Sequence, residues 1–296
     1  MPTINANGIE IYYEEAGAAD APVILLVMGL GTQMIAWPDD LIQGLVAKGF
    51  RVIHYDNRDV GLSQRMDGAP AGSLVWAMLA SRFGLPVKTA YSLTDMATDG
   101  VALLDALGIS RAHIVGASMG GMIVQLMAAH HPDKVHSMTS IMSSSGKPGL
   151  PGPRADIRKR LMAPRPSNPT REEAVRLGAE ALESISFADP ARPPSAYAEM
   201  AARAFDRGYY PVGMKRQLLA IVADGSRVDR LKSIKVPTLV VHGGADPLVP
   251  KEGSEDIARH IAGARLEIID DMAHDLPPSQ VGRMTDLIAS HAASVR

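Results

Sequence analysis

Short runs of apolar, β-branched residues bounded by Gly, Pro or Asp alternate along the chain with longer segments whose apolar positions recur at helical spacing. That alternation is the pattern of an α/β protein, a mostly parallel sheet covered by helices. The first two runs, Thr3–Ala6 and 9–14, flank Asn7-Gly8, a pair able to take the positive φ values of a tight hairpin turn. Val23–Val27 is apolar at every position, as expected of a strand with helices on both sides of its sheet. Further strands are predicted at Arg51–Tyr55, 112–115, 135–142, 238–242 and Arg265–Ile269, making a sheet of about eight. Helical spacing marks 95–107, 120–131 and 253–261.

The alternation breaks between 146 and 230, where no strand signal appears and prolines crowd in at 148, 151, 153, 164, 166, 169, 190, 193 and 194. Within that interval 171–184 and 195–205 carry helical spacing, with Thr170-Arg-Glu-Glu173 and Ser195-Ala-Tyr-Ala-Glu199 as helix starts. A structureless excursion of that length would be unusual inside a compact domain. The expected organisation is therefore a core over 1–145, a helical cap over 146–230 and the rest of the core over 231–296. No internal repeat or low-complexity tract interrupts it.

Composition narrows the function classes. At 296 residues, 46% hydrophobic and 21% charged, the chain is long enough to bury roughly three quarters of its unfolded surface. Thirty Lys plus Arg against 32 Asp plus Glu gives a net charge of -2, which provides no basic field for nucleic acid or anionic lipid. Aromatic residues, 4% of the chain, offer few platforms for stacked bases. The absence of cysteine removes disulfides, thiolate metal sites and thiol nucleophiles together. Met1 to Gly8 has neither the basic nor the apolar region of a signal peptide, and no stretch reaches the roughly 18 apolar residues of a membrane span. The expectation is a cytoplasmic protein that acts on a small molecule, with no nucleic-acid or membrane partner; oligomeric state is not legible.

Gly116-Ala117-Ser118-Met119-Gly120 follows a predicted strand and opens a predicted helix, the strand-turn-helix context in which a Gly-x-Ser-x-Gly serine becomes a nucleophile. A serine hydroxyl needs a base to take its proton, and the base needs an acid to fix its tautomer. Asp246 follows the strand ending near His242, and His274 follows the last strand, so both sit on loops at the sheet's carboxyl edge. The chain order Ser, Asp, His agrees with that placement. Backbone N–H groups of Met119 and, from the loop Met28-Gly29-Leu30-Gly31, of Leu30 are the candidate donors to a developing oxyanion.

Other histidines are poorly placed. His54, His113, His136 and His242 fall in strands, His130 and His131 at a helix end, and His260 and His291 in helices. Asp270, Asp271 and Asp275 adjoin His274 and shape its loop.

Together the elbow at Ser118, the acid loop at Asp246, the base loop at His274 and the stretch Tyr55-Asp-Asn-Arg-Asp-Val-Gly-Leu-Ser63 resemble the α/β-hydrolase superfamily. Met28 stands where many of its members have His, and Met28-Gly29 with Trp37-Pro38-Asp39 downstream is similar to the aclacinomycin methyl esterase-like carboxylesterases. The resemblance implies a serine ester hydrolase that forms an acyl-enzyme and needs no metal or organic cofactor. It implies structural roles in loop ordering for Asp56, Arg58 and Ser63. Met28, Met142 and Leu248, apolar and close to the reacting positions, are candidate pocket residues for a small hydrophobic, methyl or short-chain ester. For Met142, core filling is an equal alternative. A perhydrolase, a carbon–carbon bond hydrolase, or a ligand-binding protein on the same scaffold would share these residues.

Overall fold

The computed structural model describes residues 3–163, 166 and 168–295. Eight strands form one sheet: β1 (Thr3–Ala6), β2 (Ile9–Ala16), β3 (Val23–Val27), β4 (Arg51–Tyr55), β5 (Ala112–Ala117), β6 (Val135–Ile141), β7 (Thr238–Gly243) and β8 (Arg265–Ile269). Their order is β1-β2-β4-β3-β5-β6-β7-β8. β1 pairs antiparallel with β2, and β2 antiparallel with β4; every later pairing is parallel. The β1–β2 turn is made by Asn7 and Gly8, with φ of 52° and 75°, the left-handed pair a two-residue hairpin demands.

Alternation along β3 divides the core in two. Val23, Leu25 and Val27 face α3 (Leu93–Ala106) and α4 (Met119–His130), joined by Leu231 and Ile257. Ile24 and Leu26 face the other way, against Leu41 and Leu45 of α1 (Asp39–Ala47) and Met284 and Ile288 of the C-terminal α11 (Pro278–Ala293). The central strands are thus apolar throughout because both faces are covered.

Between α1 and α3 lies α2 (Leu74–Arg82), absent from the sequence reading. Its small residues Ala77 and Ala80 are buried, while Val75, Trp76, Met78 and Leu79 point to solvent with Phe83 and Leu85 beyond its end. Trp76 is 66% exposed and Phe83 73%.

From β6 to β7 the described chain is helical: α5 (Ala155–Met162), α6 (Arg171–Ile185), α7 (Ala196–Gly208), α8 (Pro211–Asp224) and α9 (Val228–Ser233). Thr170 caps α6, its hydroxyl accepting the Glu173 N–H at 3.2 Å. Ser195 precedes α7 without a capping hydrogen bond, so only one of the two predicted starts is built by its side chain. Pro164 lies outside the described residues. Two ion pairs tie these helices to the loop after β4, the partly buried Arg207–Asp56 and the buried Arg216–Asp59. α10 (Glu252–His260) returns the chain to the core before β8. Among the described residues no helix is long and apolar enough to cross a membrane.

Candidate active site

β5 ends in a turn that forces Ser118 to φ 56° and ψ −117°, a conformation a non-glycine residue adopts only when its surroundings impose it. Those surroundings are visible. The Ser118 N–H donates to the Ile141 carbonyl at 2.9 Å, and the Ser118 carbonyl accepts from Ser143 Oγ at 2.9 Å and from the Met122 N–H at 3.3 Å. A Cβ on Gly120 would lie 2.0 Å from the Val27 carbonyl oxygen, so only glycine lets α4 start this close to β3. Ser118 is half-buried at the amino end of α4, where main-chain N–H groups and the helix dipole favour negative charge.

The loops after β7 and β8 are laced together by main-chain bonds, Gly244 N–H to Ile269 O at 2.8 Å and Ala245 N–H to Met272 O at 3.0 Å. Gly243 permits this: a Cβ there would stand 2.3 Å from the Ala273 carbonyl oxygen. The lacing brings Asp246 and His274 to bonding distance. Asp246 Oδ2 accepts from His274 Nδ1 at 2.7 Å, and His274 Nε2 lies 2.9 Å from Ser118 Oγ. Asp246 Oδ1 accepts the N–H groups of Leu248 at 2.8 Å and Val249 at 2.9 Å. Burial alone would raise the Asp246 pKa, but the His274 charge and hydrogen bonds from His242, His274 and the Val249 N–H hold it down at about 2. An ionised Asp246 keeps the proton on Nδ1 and leaves Nε2 to accept from the serine hydroxyl.

The loop Met28–Gly31 abuts the serine; a Cβ on Gly29 would be 3.1 Å from Ser118 Cβ. Among the described residues, neither the Leu30 N–H nor the Met119 N–H donates a hydrogen bond within the chain. Met28 is buried, and its carbonyl accepts from Asn57 Nδ2 at 2.9 Å. Met28 and Met142 belong to the core cluster with Trp37, Ala117 and Met272, whereas Leu248 is half-buried on the acid loop. For Met142, then, the core-filling alternative is the one its position matches. Met142 also carries a positive φ of 43°.

The loop after β4 is built as ordering residues build one. Asp56 accepts the N–H groups of Met34 and Leu62, Arg58 makes a buried bidentate pair with Asp99, and Ser63 bridges the Asp56 carbonyl and the Tyr12 N–H.

Sequence reasoning set His242 aside as an ordinary strand histidine. It sits beneath the acid loop, fully buried, with Nε2 2.7 Å from the Val249 carbonyl and 3.4 Å from Asp246 Oδ2, and Nδ1 2.6 Å from Ser254 Oγ. Its place at the end of the strand that feeds Asp246 was the available signal. Ser143 behind the elbow had none. Among the described residues no three His, Asp or Glu side chains group closely enough to hold a metal ion.

An eight-stranded sheet of this order with a serine at the β5–α4 turn defines a class, and the chain belongs to it: the alpha/beta hydrolase fold family, whose model matches residues 22–278. The protein is an enzyme of that family. Along its whole length it is similar to rhodomycin D methylesterase of Streptomyces peucetius, with 29% identity over 317 aligned positions covering 98% of each chain. In three dimensions it is similar to the enol-lactonase of Burkholderia xenovorans LB400, with a TM-score of 0.76, 25% identity and 99% and 100% of the two chains covered. It shares its fold with a meta-cleavage product hydrolase of Pseudomonas fluorescens IP01, with a TM-score of 0.77, 19% identity and coverage of 99% and 98%.

Proposed function

We propose that the protein is a serine hydrolase of carboxylic esters, with Ser118 as nucleophile, His274 as base and Asp246 as the acid that orients it. The Ser118 hydroxyl oxygen adds to the ester carbonyl carbon while its proton passes to His274 Nε2. The carbonyl π pair moves onto oxygen, which accepts from the Leu30 and Met119 N–H groups. Collapse expels the alcohol, protonated by His274, and leaves an acyl-Ser118. Water, deprotonated by the same nitrogen, then releases the acid. Helices α6 to α8 act as the cap under which the ester binds.

One observation carries the reading: the unbroken line Asp246 Oδ2, His274 Nδ1, His274 Nε2, Ser118 Oγ, at 2.7 and 2.9 Å. Two of the three relatives named above, the methylesterase and the enol-lactonase, act by name on a methyl ester and an enol-lactone, both oxygen esters, which supports that substrate class. The substrate proposed is a small hydrophobic, methyl or short-chain ester.

Labelling with a fluorophosphonate followed by peptide mapping tests the nucleophile, alongside hydrolysis of short p-nitrophenyl esters. The expected result is a single tag on Ser118 and none in Ser118→Ala. A tag on another serine with full esterase activity in Ser118→Ala would refute the assignment.

A further inference from the structure

Gln217, on α8 towards the end of the helical excursion, is fully buried. Its amide is spent on two main-chain groups of the core. Oε1 accepts the Gly31 N–H at 2.8 Å, and Nε2 donates to the Arg58 carbonyl at 2.8 Å. One neutral side chain thus joins the loop after β3 to the loop after β4, each with a bond of good length.

The consequence for Leu30 follows from peptide geometry. N–H and C=O of one trans peptide point in opposite directions, so fixing one fixes the other. The Leu30–Gly31 peptide is held on its N–H side by Gln217 and on its C=O side by Thr32 Oγ1, which donates to the Leu30 carbonyl at 3.1 Å. The preceding peptide, which carries the Leu30 N–H, is held by the Gly29 carbonyl accepting from the Thr32 N–H at 3.2 Å. Two consecutive planes meeting at the Leu30 Cα are pinned, and the Leu30 N–H in the first of them is left without an internal partner among the described residues. Gly31 is the hinge of this arrangement. Its φ is +62°, and a Cβ on it would stand 2.5 Å from Met214 Cγ, one turn before Gln217 on the same helix. The loop is therefore shaped from outside the core, by α8.

We propose that Gln217 is a positioning residue for the oxyanion hole: by holding the Gly31 N–H it aims the Leu30 N–H at the oxygen on which charge develops. The inference rests on the serine-hydrolase reading above. It assigns a role in the chemical step to a residue of the helical excursion that touches no reacting atom. An oxyanion donor acts only once the carbonyl oxygen gains charge, so its misalignment lowers kcat while leaving substrate binding nearly untouched.

Gln217→Met keeps the unbranched shape and reach of the side chain but makes its end apolar, and so removes both hydrogen bonds. On a p-nitrophenyl ester it is expected to lower kcat by about 10- to 100-fold, with KM within about threefold of wild type. A trifluoromethyl ketone that forms a hemiketal oxyanion on Ser118 is expected to lose affinity by the same factor as kcat/KM. The shape of the pH–rate profile is expected to stay unchanged, since the imidazole is not involved. Gln217→Glu, whose one carboxyl oxygen can still accept from Gly31 while the other, protonated at this buried position, donates to the Arg58 carbonyl, is expected to retain more rate than Gln217→Met. This variant also serves if Gln217→Met does not fold, because its loss must then appear in kcat and inhibitor affinity rather than KM.

Wild-type kcat in Gln217→Met overturns the proposal, as does a loss confined to KM or a ketone affinity that does not follow kcat/KM. Ser118→Ala measured in parallel separates the two levels. If Ser118→Ala is inactive while Gln217→Met is unaffected, only the role of Gln217 falls; if Ser118→Ala remains active, the reading of the site falls with it.

Discussion

The main-chain N–H of His274 donates to the carbonyl of Ile185 at 2.9 Å, so the loop that carries His274 hangs from the last residue of α6. The attachment is reinforced nearby. Asp275 accepts the Phe187 N–H at 3.0 Å and pairs with Arg192, whose guanidinium lies over the Tyr197 ring, and Asp189 accepts the Ser279 N–H at 2.8 Å.

Asp275→Ala should therefore be costly although Asp275 is outside the line of reacting groups. It leaves Arg192, itself largely buried, without its carboxylate, a change that typically destabilises by about 3 kcal/mol. The loosened base loop should also lower kcat by about tenfold through misplacement of the imidazole. Urea unfolding and ester kinetics check both, and Asp275→Asn, which keeps an oxygen for the Phe187 N–H, should lose less of each.

Removing reacting groups should cost far more. Ser118→Ala and His274→Ala are each expected to lower kcat by about three to six orders of magnitude, and Asp246→Asn by about two to four. The double variant Ser118→Ala/His274→Ala should be no slower than Ser118→Ala alone, because the pair acts as a unit. Additive losses in single-turnover kinetics would mean that the groups work independently.

Backbone strain at Ser118 makes a separate prediction about stability. Glycine at φ 56° and ψ −117° escapes the steric cost that any Cβ carries there, offset in part by the greater freedom of the unfolded chain. Ser118→Gly should be more stable than Ser118→Ala by about 1 kcal/mol, read from urea midpoints. Equal midpoints would show that the turn is unstrained.

His113 predicts how the fold responds to acid. Burial, then the nearby His136, His291 and Arg111 charges, lower its pKa to about 4, with Nδ1 bonded to Ser137 Oγ at 2.8 Å. An unfolded chain takes up a proton near pH 6.5 that the folded chain refuses, so stability falls as pH drops from about 6.5 towards 4. This group's share is about 2 to 3 kcal/mol over pH 7.5 to 4.5. His113→Asn should flatten the dependence of the urea midpoint on pH by that amount, and an unchanged slope would contradict the buried neutral imidazole.

How much of this was legible depended on whether a residue's partners are local. β3 and β4 end where their apolar runs end, and the Asn7-Gly8 turn announces itself because only a few residues accept its dihedrals. The Ser118 elbow was legible for the same reason, and Asp246 and His274 because each follows a strand on the edge where such loops converge. α2 was not, since its alanines face inward and its large apolar residues outward, the reverse of the rule by which amphipathic helices are recognised. Gln217 was invisible because its two partners lie 186 and 159 positions away along the chain. Met28 and Met142 follow the last residues of β3 and β6 and are buried with Trp37 and Met272, a placement the sequence alone could not distinguish from a place at the pocket wall.

The two tryptophans occupy opposite extremes, Trp37 1% exposed in the core beneath the loop after β3 and Trp76 66% exposed on α2. Their fluorescence is therefore a built-in pair of optical reporters. Iodide should quench Trp76 in the native protein and spare Trp37, and a red shift on unfolding should come almost wholly from Trp37. Emission from Trp76→Phe would then follow the integrity of the core alone, with no background from the surface.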